Sequence, residues 1–281
     1  ELDAKPDEYV PPSAAFDLEA DKISPKLALT YNINDDLSTY AQYSQGFRAP
    51  AYYEINANFS NPMRGYKTIS NPDLKPETSN SYELGLRGRY SQIDFDLAGF
   101  YNKYENFIEQ LVYIGRLDGL TTFQTQNVDS AEIFGAELGA SYYFNPEKNG
   151  FSLFTSLASA TGDNLTENKP LDTVNPFEAK LGIKYASSNG KWESKLTNTY
   201  VGKARVSDET TTFVPNSYNV SDLELTYKPS DKYLISAGIY NLFDEAYYNY
   251  QDVKGKPTDL SNLTRFTQPE RHLKASVTIR F

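Results

Sequence analysis

The chain has 281 residues, a formal net charge of −10 and a mean hydropathy of −0.58. No apolar run reaches the roughly 18 residues that a transmembrane helix needs, and a pI near 4.8 argues against a nucleic-acid partner. Cysteine is absent and histidine occurs once, whereas 23 tyrosines and 16 phenylalanines bring aromatics to 14%, a composition suited to a sheet protein with an interfacial belt.

Residues 1–21 carry Asp3, Asp7, Glu8, Asp17, Glu19 and Asp21 among Pro6, Pro11 and Pro12. This is an acidic stretch without regular structure of its own. It has neither a basic n-region nor an apolar h-region, which is expected of a mature chain or a piece of one.

From there on, apolar and polar residues alternate every second position, the mark of strands with one apolar face. About eleven strands are predicted, starting near residues 24, 37, 77, 93, 121, 151, 175, 191, 218, 233 and 271, with boundaries good to a few residues. The strand after residue 77 sets Tyr82, Leu84, Leu86 and Tyr90 against Glu83, Arg87 and Arg89. The next sets Ile93, Phe95, Leu97 and Tyr101 against Asp94 and Asp96. The last sets Leu273, Ala275, Val277, Ile279 and Phe281 against His272, Lys274, Ser276, Thr278 and Arg280.

The connections also alternate. Short polar turns ("NINDD", "YSQ", "NPEKNG", "SSNGK", "KPSDK") take turns with longer segments at roughly 48–76, 113–121, 160–174, 206–217 and 251–270. A transmembrane antiparallel β-barrel has short periplasmic turns, long extracellular loops, an apolar exterior and a polar interior, and in lipid such a sheet must close. A half-solvated antiparallel sheet is the plainer reading of the same alternation. If the last strand descends to the periplasm, every long segment and residues 1–21 lie outside. Eleven is an odd count where bacterial barrels use even ones. Either 13–20 supplies a twelfth strand, or a preceding half exists elsewhere.

Enzymatic chemistry finds no support: there is no cysteine nucleophile, no GxSxG, HExxH or GxxxxGK, and a single histidine. Asp94 and Asp96 share the lumen face and balance lumen Arg and Lys more readily than they bind a metal. The acidic segments 160–174 and 206–217 read as solvated, mobile loop tips.

"FRAP" at Phe47–Pro50, followed by "NPDLKPETSNSYELGLRG" from Asn71, resembles the TonB-dependent outer-membrane receptors. "IFGAELGASYYF" (133–144), "NLFDEAYYNY" (241–250) and the terminal Phe281 are similar to later parts of the same family. The pairing of the FRAP and NPDL boxes, and "YYNYQDVKG…FTQPERHLKASVTIRF", resemble its haem and haemoprotein branch. The resemblance covers essentially residues 24–281. It implies an all-β fold in which 22–281 form the C-terminal half, about eleven strands, of a 22-stranded barrel. A plug domain and the first barrel half would lie on another stretch of polypeptide, and TonB would act through that plug. The two edges of a half-barrel would need that companion. The function implied is uptake of haem or iron from an extracellular haemoprotein in the outer membrane of a Gram-negative bacterium. No intrinsic cofactor is implied; haem or a ferric complex would be cargo. A ferric-siderophore or transferrin-type iron receptor is the alternative, and a passive porin or adhesin a third.

Pro50 and Pro72 restrict the residues before them, so both boxes also serve as strand punctuation without ligand contact. Glu77 faces the lumen side, with Arg87, Arg89 or the plug as partners. Between the boxes, Tyr52, Tyr53, Phe59, Met63 and Tyr66 offer aromatic and soft apolar surface, and Arg48, Arg64 and Lys67 add positive charge. A planar amphipathic anion such as haem suits that set, rings and Met on the macrocycle and cations on its carboxylates. A protein interface uses the same residues. Haem-receptor relatives commonly carry a histidine between the boxes; this chain has none there. Tyr52, Tyr53, Tyr66 or Met63 could ligate haem iron instead. His272, opening the last strand on its polar face near the rim, is the remaining candidate ligand, or a solvated strand residue.

Overall fold

The computed structural model describes Phe16, residues 22–258 and residues 262–280. Among these, eleven long strands follow one another as antiparallel neighbours in one sheet: β1 (Lys26–Asn32), β2 (Leu37–Arg48), β5 (Glu77–Arg89), β6 (Ile93–Leu117), β7 (Leu120–Tyr143), β8 (Gly150–Asn164), β10 (Glu178–Ala186), β11 (Trp192–Val201), β12 (Tyr218–Ser230), β13 (Tyr233–Tyr240) and β14 (His272–Ile279). Three short strands, β3 (Phe59–Asn61), β4 (Tyr66–Ile69) and β9 (Lys169–Pro170), sit off this path in the longer connections, as do two one-turn helices, α1 (Tyr52–Ile55) and α2 (Tyr250–Val253). No helix among the described residues is long and apolar enough to cross a membrane. The acidic stretch 1–21 lies outside the described residues except for Phe16, whose N–H and carbonyl pair with the Asn56 side chain.

Each expected strand is present, with its start displaced by at most a few residues. One expected loop is absent. Residues 113–121 continue β6 and β7 to a two-residue turn at Asp118 and Gly119, both with positive φ (54° and 77°). Such a turn twists with its strands, and Asp-Gly is its preferred pair. The hairpin therefore rises well beyond its neighbours, with 25 and 24 residues in its two strands.

The two faces separate by parity. Outward, register aligns Leu27, Tyr43, Tyr82, Tyr101 and Phe134 in one row across β1, β2, β5, β6 and β7. Tyr43 packs on Tyr82 at 5.2 Å and Tyr82 on Tyr101 at 6.4 Å between ring centroids. A second set lies toward the short turns: Tyr142 on Phe144, Phe151 on Tyr185, and Trp192 stacked on Tyr227 at 4.0 Å. Members of the two sets on one strand, Phe134 and Tyr142, stand eight residues apart. At ~3.3 Å per residue and a tilt near 40°, that is roughly 20 Å across a membrane, close to the apolar band of outer-membrane barrels.

The other face is polar. Arg89 Nη2 lies 2.6 Å from Asp96 Oδ2, Lys148 Nζ 2.7 Å from Asp94 Oδ1, Lys184 Nζ 2.8 Å from Glu193 Oε2 and Lys195 Nζ 3.4 Å from Glu224 Oε2. Asp94 and Asp96 thus balance lumen cations. Single solvated pairs contribute little, about 0–1 kcal/mol each, so they select a polar lumen more than they stabilise it. Glycines admit rings on this face. A Cβ on Gly85 would fall inside the Tyr40 ring, and one on Gly182 inside that of Phe154.

The segments read as solvated tips are solvated at 165–169 and 207–211 but packed at their bases. Ala204, Val206 and Tyr250 form a buried cluster capped by Val214, Leu171 is buried nearby, and Tyr250 donates its hydroxyl to the Asp172 carbonyl at 2.7 Å. Burial pushes the Tyr250 hydroxyl up to about 12. Three connections at the long-loop end are therefore joined by a small apolar core that alternation in the strands does not reveal.

Candidate functional site

The sequence between the two boxes is pinned at both ends. Arg48 closes β2 directly opposite Glu77, which opens β5. Its guanidinium reaches Glu54 Oε2 at 2.8 Å and Glu77 Oε2 at 3.0 Å. Glu54, on α1, is only 3% exposed and accepts from the Ala51 N–H at 2.7 Å and from Gln110 Nε2 at 3.1 Å. The Ile108 N–H points at Glu77 Oε2 at 3.3 Å. Burial alone would raise the Glu54 carboxyl, but the Ala51 N–H, Arg48 and Gln110 outweigh it and hold the group below its ordinary value. Glu77 therefore pairs with Arg48, and Arg87 and Arg89 with Asp96. This corrects the expected pairing of Glu77 with Arg87 or Arg89: cross-strand register puts Arg48 opposite it, while Arg87 and Arg89 lie ten or more residues along β5.

The second box works as a clasp. Asn71 donates its N–H to the Ile55 carbonyl (2.8 Å) and its Nδ2 to the Thr125 carbonyl (2.9 Å), and its Oδ1 accepts from the Asp73 N–H (3.1 Å). The Lys75 N–H donates to Asn127 Oδ1 at 2.7 Å, and Leu74 is buried. These bonds fasten the segment to β7.

Between the clasps, β3 and β4 form a hairpin, and β4 pairs in parallel with β7. The result is a four-stranded sheet, β6-β7-β4-β3, beyond the barrel wall. Register places Tyr113, Phe123, Thr68 and Phe59 in one row across it, and Arg116, Thr121 and Tyr66 in the next. Tyr113 packs edge-on against Phe123 at 6.1 Å, and Phe59 against Tyr66 at 6.0 Å. Phe123 has the same parity on β7 as Gly135 and Glu137, with the register shifts confined to β6, so this aromatic shelf continues the lumen face upward. Two bulges in β6 re-aim its tip. At the first, Leu111 is held at φ 59° and stands 63% exposed. A bulky residue in that region stores strain, which is characteristic of binding surfaces.

The sequence candidates divide across this geometry. Phe59 and Tyr66 lie on the shelf. Met63, 99% exposed, and Arg64 form the one-turn 3-10 helix that joins β3 to β4. Lys67 is on the opposite face, 2.7 Å from Asp118 Oδ2. Tyr53 is exposed on α1, and Tyr52 opens that helix, its carbonyl accepting from the Asn56 N–H. Arg48 is occupied by its two carboxylates. Arg64 and Arg116 make no ion pair among the described residues, and Arg116 Nη2 donates to the Gly119 carbonyl at 2.8 Å. His272 stands on β14, the far edge of the sheet from β1, opposite Tyr240 and stacked on its ring at 5.5 Å, with Nδ1 2.8 Å from the Glu270 carbonyl. Tyr113 and Arg116 were missed by reading 113–121 as loop, where Asp118-Gly119 between alternating segments was the available hairpin signal; Phe123 fell in the strand expected from about 121 and carried no signal of a site.

Residues 2–242 match the family model "TonB dependent receptor-like, beta-barrel", and the chain belongs to that family. It is a family of receptors and transporters, outer-membrane β-barrels of Gram-negative bacteria. Similar curated proteins include a probable hemoglobin and hemoglobin-haptoglobin-binding protein of Haemophilus influenzae, 26% identical over 92% of this chain and 29% of that protein. Others are a hemin receptor of Yersinia pestis, 27% identical over 89% of this chain and 38% of that protein, and a vitamin B12 transporter of Photobacterium profundum, 28% identical over 81% and 36%. The chain thus spans about a third of the length of these relatives. Among solved structures, the copper transporter OprC superposes with a TM-score of 0.76 at 24% identity, over 92% of this chain and 39% of that one. A ferric enterobactin receptor of Pseudomonas aeruginosa superposes at 0.70 and 22%, over 92% and 40%. Both show the same fold.

Proposed function

We propose that residues 22–281 are the C-terminal half of the barrel of a TonB-dependent receptor that takes haem from an extracellular haemoprotein. The observation that carries this reading is the shelf: Phe59, Tyr66, Tyr113 and Phe123 share one face above the lumen, with Arg64 and Arg116 beside them. Aromatic faces take a flat macrocycle or a protein surface, and guanidiniums without an ion pair among the described residues take its carboxylates. The relatives named for hemin and hemoglobin support the same cargo. Cargo enters as substrate; the chain holds it, and passage needs the plug and TonB supplied through the companion half. Tyr66, on the shelf, is the better-placed candidate iron ligand; Tyr52, Tyr53 and His272 lie off it.

A ferric siderophore is the second reading, favoured by the absence of histidine between the boxes. Growth of an iron-starved strain whose only haem receptor is the full-length protein separates them. Growth on haemoglobin that disappears on deleting residues 57–68 is expected. Growth restored only by ferric siderophores would replace the first reading with the second.

A further inference from the structure

The outward wall carries a trench independent of cargo. Below the aromatic row that contains Tyr43, Tyr82 and Tyr101, the next row reads Ala41, Leu84, Gly99 and Ala136, and the one below it Leu86, Leu97 and Leu138. Leu29 pairs with Ala41 in the same row, and its small members Ala41, Gly99 and Ala136 lie beside the projecting Leu29 and Leu84, which leaves a groove of about 720 Å³ walled by Leu27, Leu29, Tyr82, Leu84 and Tyr101. Its floor is open at Gly99, where an added Cβ would meet nothing nearer than the Gly135 carbonyl oxygen at 3.9 Å. Strand faces are set by parity, so the groove stays outward when β1 gains a neighbour.

The geometry points to this groove as a binding site for one acyl chain of an outer-leaflet lipid. The occupant follows from position. The groove lies just inside the aromatic row, toward the membrane centre, and aromatic rows mark the boundary between hydrocarbon and headgroups. Polar groups stand on the other side of that row, at headgroup level: Tyr101 donates its hydroxyl to Glu132 Oε2 at 2.9 Å, Tyr43 donates to Asn80 Oδ1 at 2.9 Å, and Lys103 lies 3.7 Å from Glu105. These groups already satisfy one another and carry more negative than positive charge, so the site selects on the chain and not on an anionic headgroup. A recess of this size with an apolar lining holds a chain that a smooth wall would exchange freely.

The test uses the full-length receptor in a mild detergent, titrated with dimyristoylphosphatidylethanolamine and read by native mass spectrometry. One adduct that outlasts the others on activation is expected for the wild type. Gly99→Leu and, separately, Ala41→Leu should each lower its occupancy about tenfold, while Ala179→Leu, on the same outward face but outside the groove, should leave it unchanged. Retained heat-modifiable migration on gels shows that each variant is folded. Equal occupancy in Gly99→Leu and wild type, no retained adduct in the wild type, or a wild-type mass of two barrels lost in Gly99→Leu would each overturn the proposal. The last would assign the face to a second copy.

Discussion

At the scale of single residues, Arg48 and Glu54 decide whether the shelf has a fixed base. Glu54 is buried, and its charge is held by a backbone N–H, a side-chain amide and the guanidinium. Removing one partner of such a pair leaves a buried carboxylate underbonded. Arg48 is itself half-exposed, which discounts the effect. Arg48→Ala should therefore destabilise the segment locally by about 1–2 kcal/mol, read as faster amide exchange at Ala51–Ile55 and Asn71. The pH dependence has a fixed sign. A carboxyl whose folded value lies below its ordinary one stabilises the fold above about pH 4.3 and loses that contribution as pH falls through the lowered value. Protection of this segment should be flat from pH 8 to pH 5 and fall only below about pH 4. Loss of protection near pH 6 would assign the latch to another group.

At the scale of elements, glycine placement governs the wall. Gly135 on β7 lies where an added Cβ would collide with the Ser159 carbonyl oxygen and meet the Phe100 ring at 2.6 Å. Backbone cannot yield as a flexible side chain does, so Gly135→Val should cost about 1–3 kcal/mol and lower the temperature at which the barrel loses its heat-modifiable form. Gly99→Leu has room and should not. The strands were legible because their period of two is written in side chains that must face lipid or lumen, as in Leu273 to Ile279 against Lys274 to Thr278. The shelf was half legible. Phe59 and Tyr66 stood out by composition, but their row-mates Tyr113 and Phe123 come from a segment 45 or more residues away, joined through the parallel β4–β7 pairing. Nothing local encodes such a pairing. The buried contact of Tyr250 with Asp172 was hidden for the same reason: it links connections that are distant in sequence.

For the whole molecule, β1 and β14 are the outer strands of the sheet path, and each has one edge without a strand partner among the described residues. Such edges in lipid carry unsatisfied backbone groups at several kcal/mol each. The chain expressed alone should therefore fail to give a heat-modifiable barrel in detergent, and supplying the companion half proposed above should restore it. A closed barrel from this chain alone would contradict the half-barrel reading. In the reading proposed above, the shelf above the lumen receives the cargo. The measurement that tests it most directly is a titration of the full-length receptor with haemoglobin, and in parallel with free haem while the Soret band is recorded. Wild type is compared with Phe59→Ala/Tyr66→Ala/Tyr113→Ala. Tight haemoglobin binding is expected for the wild type, weakened by roughly 30-fold or more in the variant, the scale of aromatic anchors at an interface. Unchanged affinity in the variant, or no binding of haem or haemoglobin to the wild type, would contradict it.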